Sequence, residues 1–452
     1  MMPADPSGRP HRGLMVKRLK LLIFILLPVA VYLYLSATLI HRQFRKPTDP
    51  AASPVLLIDD TEYYGQGPDE RYYKCYIEEH RGQSGGVDYN YALGFVEFDD
   101  QGRFWDEKQL HALIDFIKGG EHGSSMFVFV HGWMNNADPM NQNVACFREM
   151  LKGIAVKRAR KGSGRRVIGI YLGWTGRLFE SEYLSKAVTF WNRLKVAKRI
   201  GERSDMFLTF NALKKIYEDE GKHKILVFAH SMGARAVFSS IGNNFRSRLH
   251  VVGTEDPRGK GYGDLVVLIN PAIPAMDIKS VFERAEQLYD EPAFPDFVVI
   301  SSEKDGVMNN LFPLALKLTA WLENTGDEGD REALTRSVGT YDPFITHYLK
   351  SMDESTFKNL EPREDLDCLC RYMRAEDLDI TRDMADPSFA EGRLEHWDMP
   401  RYAMRITGTG KNIGAAAIIR VQGNIIPSHG RIWTSPFLTF VADTTSYKLA
   451  RD

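Results

Sequence analysis

The chain has 452 residues, of which 44% are apolar and 26% are charged, a globular composition that excludes a disordered or collagen-like chain. The net charge of -1 is unevenly placed: residues 1–46 contain eight Lys/Arg and one acid, and the remaining 406 residues contain 50 basic and 58 acidic side chains. Because the larger part is therefore acidic, it is a poor match for a phosphate backbone, and we expect no nucleic-acid partner.

An uncharged apolar run of 20 residues, Leu21–Ile40, lies near the N-terminus. As a helix rising ~1.5 Å per residue it reaches across a hydrocarbon core of roughly 30 Å. Five basic residues precede the run and three follow it, which favours a cytoplasmic N-terminus and a non-cytoplasmic C-terminal domain. A cleaved signal peptide is the alternative, but the run is longer than the usual apolar region and Leu35–Ala37 is a weak cleavage site. We predict an uncleaved, single-pass signal-anchor.

The four cysteines give no metal-binding pattern. Cys368 and Cys370 are too close together for an easy mutual disulfide and have the wrong spacing for paired zinc ligands. Cys75 and Cys146 could pair in an oxidising compartment, and free buried thiols are equally compatible with the sequence. We expect no metal and no cofactor.

Strand-like and helix-like segments alternate through the middle of the chain. Asp106–Lys118 has the period of an amphipathic helix, with Asp106 as its cap and Gln109 completing a capping-box pair. Short apolar runs typical of strands buried on both faces are Met126–Val130, Val167–Leu172, Ile225–Phe228, Leu265–Ile269, Phe297–Ile300 and Ala415–Val421. Helical stretches between them include Phe207–Tyr217 and Ala234–Ile241. This order predicts an α/β fold with a mostly parallel sheet flanked by helices.

The domain organisation follows from these segments. We predict a basic tail at 1–20, the anchor at 21–40, a Pro-rich linker at 41–54 and one α/β domain at 55–452. The charged stretch from Gly326 to roughly Met404 lacks a clear strand rhythm, so we interpret residues 323–413 as a loop-rich insertion or lid.

The sharpest chemical signal is the pentapeptide Ala229–Gly233 (AHSMG), which follows a buried strand and precedes a helix-forming run. A nucleophile elbow requires this context, since a tight strand-to-helix turn must project the serine at the edge of the sheet. Ala229 replaces the usual first glycine and is small enough for that position. The pattern predicts Ser231 as a nucleophile.

A second signal, His131-Gly132-Trp133, follows the Met126–Val130 strand. With the elbow, it resembles the α/β-hydrolase superfamily of lipases and esterases. Further segments, FVHGWMNNA at 129–137, YLGW at 171–174 and NPA at 270–272, look like a membrane-linked branch of it. The resemblance covers roughly residues 90–310 and 415–440. It implies the fold, a serine-hydrolase mechanism, and an oxyanion hole formed by the backbone N–H groups of Trp133 and Met232, with His131 holding the loop.

The resemblance places the acid after a late strand and the histidine last. Asp305 fits the acid, because it lies in a loop after the Phe297–Ile300 strand and is followed by Gly306-Val307. Glu303 and Asp277 are the alternative acids.

The base is then one of the later histidines. His429 lies in a glycine-containing loop after the Ala415–Val421 strand and is the predicted base. His347 and His396 are the alternatives. His230 adjoins the serine but is expected to point away from it.

These features predict a membrane-anchored serine hydrolase, a carboxylesterase or lipase acting on a small-molecule or lipid ester through an acyl-enzyme. A catalytically silent scaffold of the same fold, acting as a membrane-bound binding or assembly protein, is the alternative.

Overall fold

The structure is a computed structural model of the chain. It describes residues 42–47, 53–60, 68–162, 164–250, 262–280, 282, 297–320, 328–353, 397–399, 404–411 and 416–442, preceded by residues 24, 26–31, 34 and 38–40. The predicted basic tail 1–20 lies outside the described residues, as do parts of the predicted anchor and of the predicted lid.

Twelve strands of the described residues form one sheet. They are β1 (Val55–Asp59), β2 (Ile77–Ser84), β3 (Val87–Phe98), β4 (Ser124–Val130), β5 (Arg166–Trp174), β6 (Lys224–His230), β7 (Leu265–Ile269), β8 (Phe297–Ser302), β9 (His347–Ser351), β10 (Trp397–Met399), β11 (Met404–Gly408) and β12 (Ala416–Val421). Their order across the sheet is β1-β2-β3-β5-β4-β6-β7-β8-β12-β9-β11-β10.

The centre of the sheet is parallel. Every pairing from β3 through β5, β4, β6, β7, β8 and β12 to β9 is parallel. Antiparallel pairs occur where β2 meets β3 and where β11 meets β9 and β10. The carboxyl ends of the central strands therefore lie at one edge of the sheet, the edge where open α/β sheets place their ligands.

Helices cover both faces of this sheet. They include α1 (Glu70–Tyr73), α2 (Lys108–Lys118), α3 (Gln142–Arg160), α4 (Glu182–Val188), α5 (Phe190–Glu202), α6 (Ser204–Glu220), α7 (Met232–His250), α8 (Phe312–Ala320) and α9 (Glu328–Thr335). Along β4, Met126 and Val128 pack into the core on one face, whereas Phe127 and Phe129 pack into the core on the other. The predicted α/β architecture with strands buried on both faces is confirmed.

The cap predicted for α2 is observed in part. The helix begins at Lys108, whose N–H donates to Asp106 Oδ1 at 3.0 Å, although the N-cap position is Glu107, whose side chain makes no cap bond. Gln109 does not reach back to complete a capping box. It is buried and donates to Glu97 Oε1 at 3.0 Å, because a carboxylate inside the core requires donors.

The region interpreted as a loop-rich lid contains more regular structure than its composition indicated. Strand β9 pairs with β12 and β11, and β11 also pairs with β10, so this region extends the main sheet. Its strands are short, and their period is obscured by charged residues at exposed positions such as Lys350 and Arg405. Residues 354–396, which include Cys368, Cys370 and His396, lie outside the described residues.

The N-terminal segments contact the domain. Among the residues that the structure describes, no helix combines the length and the apolarity needed to cross a membrane; the predicted anchor Leu21–Ile40 is described only in part. At the end of that segment, Leu39 forms an isolated β-bridge with Phe179. Within the predicted linker, Phe44 and Arg45 are buried. Cys75 and Cys146 are both buried, and neither forms a disulfide within the described residues.

Candidate active site

Ser231 occupies a strained turn between strand β6 and helix α7. Its φ of 56° is left-handed, a conformation that costs a non-glycine residue free energy and that surrounding contacts must hold. Two backbone hydrogen bonds to β7 and the residues after it hold this conformation. Ser231 N–H donates to Ile269 O at 2.9 Å, and Ala272 N–H donates to Ser231 O at 3.1 Å. A Cβ at Gly233 would lie 2.4 Å from His131 O, so only glycine permits this approach of the helix to the preceding loop.

Asp305 lies just after β8, at the start of a π-helical turn formed by Val307–Leu311. One carboxylate oxygen, Oδ1, accepts the N–H groups of Val307 and Met308 at 2.9 Å each. The carboxylate therefore satisfies free donors at the start of that turn, which fixes its orientation. The other oxygen, Oδ2, lies 2.7 Å from His429 Nδ1, and the side chain is fully buried.

His429 joins the two. It lies in the loop after β12, with Nδ1 bonded to Asp305 and Nε2 2.7 Å from Ser231 Oγ. In the tautomer that suits both bonds, Nδ1–H donates to the carboxylate and Nε2 accepts the serine hydroxyl proton. The three predicted residues thus form one hydrogen-bonded chain at the carboxyl edge of the sheet.

The alternative residues lie elsewhere. Glu303 is exposed on the β8 loop, and both ring nitrogens of His429 are bonded to Asp305 and Ser231, so neither Glu303 nor Asp277 orients that imidazole. His347 lies in β9 with Nδ1 2.8 Å from Thr346 Oγ1, and burial lowers its pKa to about 4. His396 lies outside the described residues.

The turn at His131-Gly132-Trp133 lies against the elbow. A Cβ at Gly132 would lie 2.8 Å from Ser231 Cβ and 3.0 Å from His230 Nδ1. His131 is fully buried, accepts the Trp174 N–H at 3.0 Å on Nε2, donates from Nδ1 to Gly132 O, and stacks on the Trp174 indole with ring centroids 5.6 Å apart. Burial lowers the pKa of His131 to about 4, so this side chain is a neutral packing element.

The two amides expected to face a developing oxyanion come from different elements. Met232 begins α7, so its N–H is one of the free donors that every helix start leaves without an intrahelical acceptor. The Trp133 side chain donates from Nε1–H to Thr189 Oγ1 at 3.0 Å. The next residue, Met134, donates its backbone N–H to Gly176 O at 3.1 Å. These contacts fix the turn beside Ser231.

Two residues hydrogen-bond to the backbone of His429, and the sequence did not predict this role for either of them. Asn270 Nδ2 and His230 Nε2 both donate to the His429 carbonyl oxygen, at 3.1 and 2.8 Å. Asn270 is fully buried with a φ of 45°, and its Oδ1 accepts the Ser302 N–H at 2.9 Å, so it joins the ends of β7 and β8 to the loop that contains His429. A buried asparagine directly after a parallel strand is the signal that could have identified it.

His230 does not point toward the serine hydroxyl, as expected, but its ring lies 4.9 Å from that of His429. Burial and the nearby His429 lower its pKa to about 3, so at neutral pH the ring is uncharged and donates through Nε2–H. Its Nδ1 has no hydrogen-bond partner within the described part of the chain.

The described residues contain no cluster of three or more His, Cys, Asp or Glu side chains that could hold a metal ion. The geometry joins Ser231, His429 and Asp305 in one hydrogen-bonded chain beside the Gly132-Trp133 turn.

Comparison with known proteins gives little. No family model matches the sequence, and no curated protein matches it at a significant level. Solved structures similar to this chain include phospholipase PlaB from Legionella pneumophila, with 16% identity, a TM-score of 0.24, and coverage of 52% of this chain and 48% of that one. The same phospholipase in complex with thio-NAD has 16% identity, a TM-score of 0.22, and coverage of 50% and 46%. The chain spans about half the length of these structures.

Proposed function

We propose that this chain is a serine hydrolase of the α/β-hydrolase type, which cleaves ester bonds through an acyl-enzyme. The observation that carries the proposal is the hydrogen-bonded chain from Ser231 Oγ through His429 to Asp305, with two bonds of 2.7 Å. The left-handed serine on a strand-to-helix turn supports it, since elbows of this kind expose a nucleophile to the edge of a sheet.

In the proposed acylation step, His429 Nε2 removes the Ser231 hydroxyl proton while Oγ forms a bond to the ester carbonyl carbon. Asp305 holds the imidazole in the correct tautomer and stabilises the imidazolium that forms. The negative oxygen of the tetrahedral intermediate accepts the N–H groups of Trp133 and Met232. One such donor is worth about 10²- to 10³-fold in kcat.

The intermediate collapses when the bond from carbon to the alcohol oxygen breaks, and His429 gives its proton to the departing alcohol. A water molecule then attacks the acyl-enzyme while His429 takes a proton from that water. His429 gives this proton to Ser231 Oγ as the carboxylic acid is released. These steps need no redox partner.

The place where the N-terminal segment meets the domain supports a lipid ester as the proposed substrate class. Glu180 N–H donates to Thr38 O at 2.9 Å and Ile40 N–H donates to Leu178 O at 2.7 Å, which seats the end of the apolar segment on residues 178–180. Arg177 N–H in turn donates to Asn135 O at 3.1 Å, in the loop that contains Trp133. If Leu21–Ile40 anchors the chain, the site lies close to the bilayer, and a lipid ester is the substrate that this placement favours.

Acyl release by the full chain in nanodiscs tests this function. We expect a burst of p-nitrophenol from p-nitrophenyl esters, followed by slower turnover, and fatty-acid release when phospholipid is supplied in the disc. The matched control is Ser231→Ala, which removes only one oxygen atom. A folded wild-type protein with no more activity than this control would support the alternative, a silent scaffold.

A further inference from the structure

The loop of residues 131–141, which joins β4 to α3, contains the Gly132-Trp133 turn at its beginning. Its other half is held by two arginines that belong to other segments of the chain. Arg45 Nε donates to Ala137 O at 3.2 Å, and Arg148 Nη1 donates to Pro139 O at 3.0 Å. The position of the 131–141 loop therefore depends on side chains that lie far from Ser231 in sequence.

Both arginines converge on one carboxylate. Glu78 accepts Arg45 Nη1 on Oε1 at 2.6 Å, and it accepts Arg148 Nε on Oε2 at 2.7 Å and Arg148 Nη2 on Oε1 at 2.9 Å. Glu78 and Arg45 are fully buried. Burial alone would raise the pKa of Glu78, but the charges of Arg148 and Arg45 hold it well below its usual value. Removal of one cation would leave the buried Glu78 carboxylate with the other arginine as its sole positively charged partner of this pair, which weakens its compensation.

Arg45 belongs to the N-terminal strap, which we define as residues 42–47. The strap is tied to the domain core by its backbone: Phe44 N–H and Arg45 N–H donate to the two oxygens of Glu97 at 2.8 and 2.9 Å. Gln109 Nε2 donates to Arg45 O at 3.2 Å, and the Arg45 guanidinium lies 3.6 Å from the centre of the Phe95 ring. The strap is thus part of the domain, between the predicted anchor and the first strand.

From this geometry we propose that Arg45 is a positioning residue for the reaction at Ser231: the strap holds the 131–141 loop through Ala137 and so fixes the Trp133 amide. The inference rests on the proposed function. It adds that activity depends on the segment that joins the anchor to the domain, so a chain that begins at residue 47 lacks a part of its active-site support.

The central variant is Arg45→Lys in the full chain. Lysine keeps a positive charge beside Glu78, but its single ammonium group cannot reproduce the separate bonds of Nη1 to Glu78 and Nε to Ala137. A displacement of an oxyanion donor by about 1 Å is enough to lower kcat by about 10- to 100-fold, with KM changed by less than about twofold. Arg166→Lys is the matched control, because Arg166 also stacks on a ring, that of Phe116, and donates to a carbonyl, but at the opposite edge of the sheet.

Rates are to be measured with p-nitrophenyl esters and expressed per site titrated with a fluorophosphonate, so that unfolded protein does not enter the comparison. We expect Arg45→Lys to lose kcat and Arg166→Lys to retain it. Arg148→Lys, which weakens the tie to Pro139, serves as a second variant if Arg45→Lys does not fold, and we expect the same loss.

A wild-type kcat per titrated site in the folded Arg45 variant, or in the Arg148 variant if that is the one that folds, would overturn the positioning role while leaving the proposed hydrolase intact. A wild-type protein that is folded but neither labelled nor active would instead overturn the proposed function.

Discussion

His429 Nε2 lies 2.7 Å from Ser231 Oγ although 198 residues separate them in the chain. The contact depends on the parallel sheet: β6 delivers the serine and β12 leads into the histidine loop, with β7 and β8 between them. Asn270 and His230 hold the histidine from its carbonyl side, so the ring is positioned through its backbone as well as through Asp305.

His429→Ala is expected to lower kcat by about 10⁴-fold or more, because the proposed base and nucleophile act as a unit. The melting temperature should change little, since the ring lies in a loop. Ester hydrolysis and thermal melting check this. His347→Ala is the control, as His347 lies in β9 away from Ser231; near-normal turnover in the His429 variant would refute the assignment of the base.

Asp305→Asn should cost about 10⁴-fold in kcat, because an amide favours the wrong imidazole tautomer. Glu303→Gln changes a carboxylate two residues away that is exposed, and it should cost less than about tenfold. Steady-state kinetics of the pair separates an orienting acid from a neighbouring carboxylate. Equal losses in both variants would contradict the role given to Asp305.

Gly132→Ala should lower kcat by about 10²-fold or more, since the new Cβ would lie 2.8 Å from Ser231 Cβ and must displace either the turn or the elbow. Gly164→Ala, where a Cβ would meet nothing within 4 Å, is the matched control. The measurement is kcat together with melting temperature. Full activity in Gly132→Ala would show that the turn does not need this close approach.

The neutral state of His230 predicts a pH dependence of stability. Its folded pKa is about 3, whereas an unfolded histidine has a pKa of ~6.5, so the unfolded state binds more protons between these values. Stability therefore falls as pH decreases below ~6.5 and is flat with respect to this group above ~7. From pH 7 to 5 the wild type should lose about 2 kcal/mol more than His230→Gln.

Urea unfolding at the two pH values gives this difference directly. His111→Gln, at a histidine whose side chain is 67% exposed, should keep the wild-type slope. A His230→Gln protein with the same loss as the wild type would contradict the neutral, buried state of His230.

The central strands could be predicted from the sequence because doubly buried strands are short apolar runs, and the candidate site residues could be predicted because each follows such a strand. The sequence does not predict residues whose role depends on partners far away in the chain. Phe44 and Arg45 lie in a basic, Pro-rich segment whose composition is typical of a linker. They are buried because they bond to the buried carboxylates of Glu97 and Glu78, and the sequence does not reveal these contacts. Strand β9 could not be predicted either, because it is short and only one of its five residues, Leu349, is buried.

Covalent labelling of the full chain with a fluorophosphonate, with the modified residue located by mass spectrometry, tests directly whether Ser231 is an activated nucleophile. We expect stoichiometric phosphonylation of Ser231, no labelling of Ser231→Ala, and labelling slowed by about 10³-fold or more in His429→Ala, because the serine hydroxyl then has no base. A folded wild-type protein that is not labelled, or one labelled at another serine, would contradict this role of Ser231.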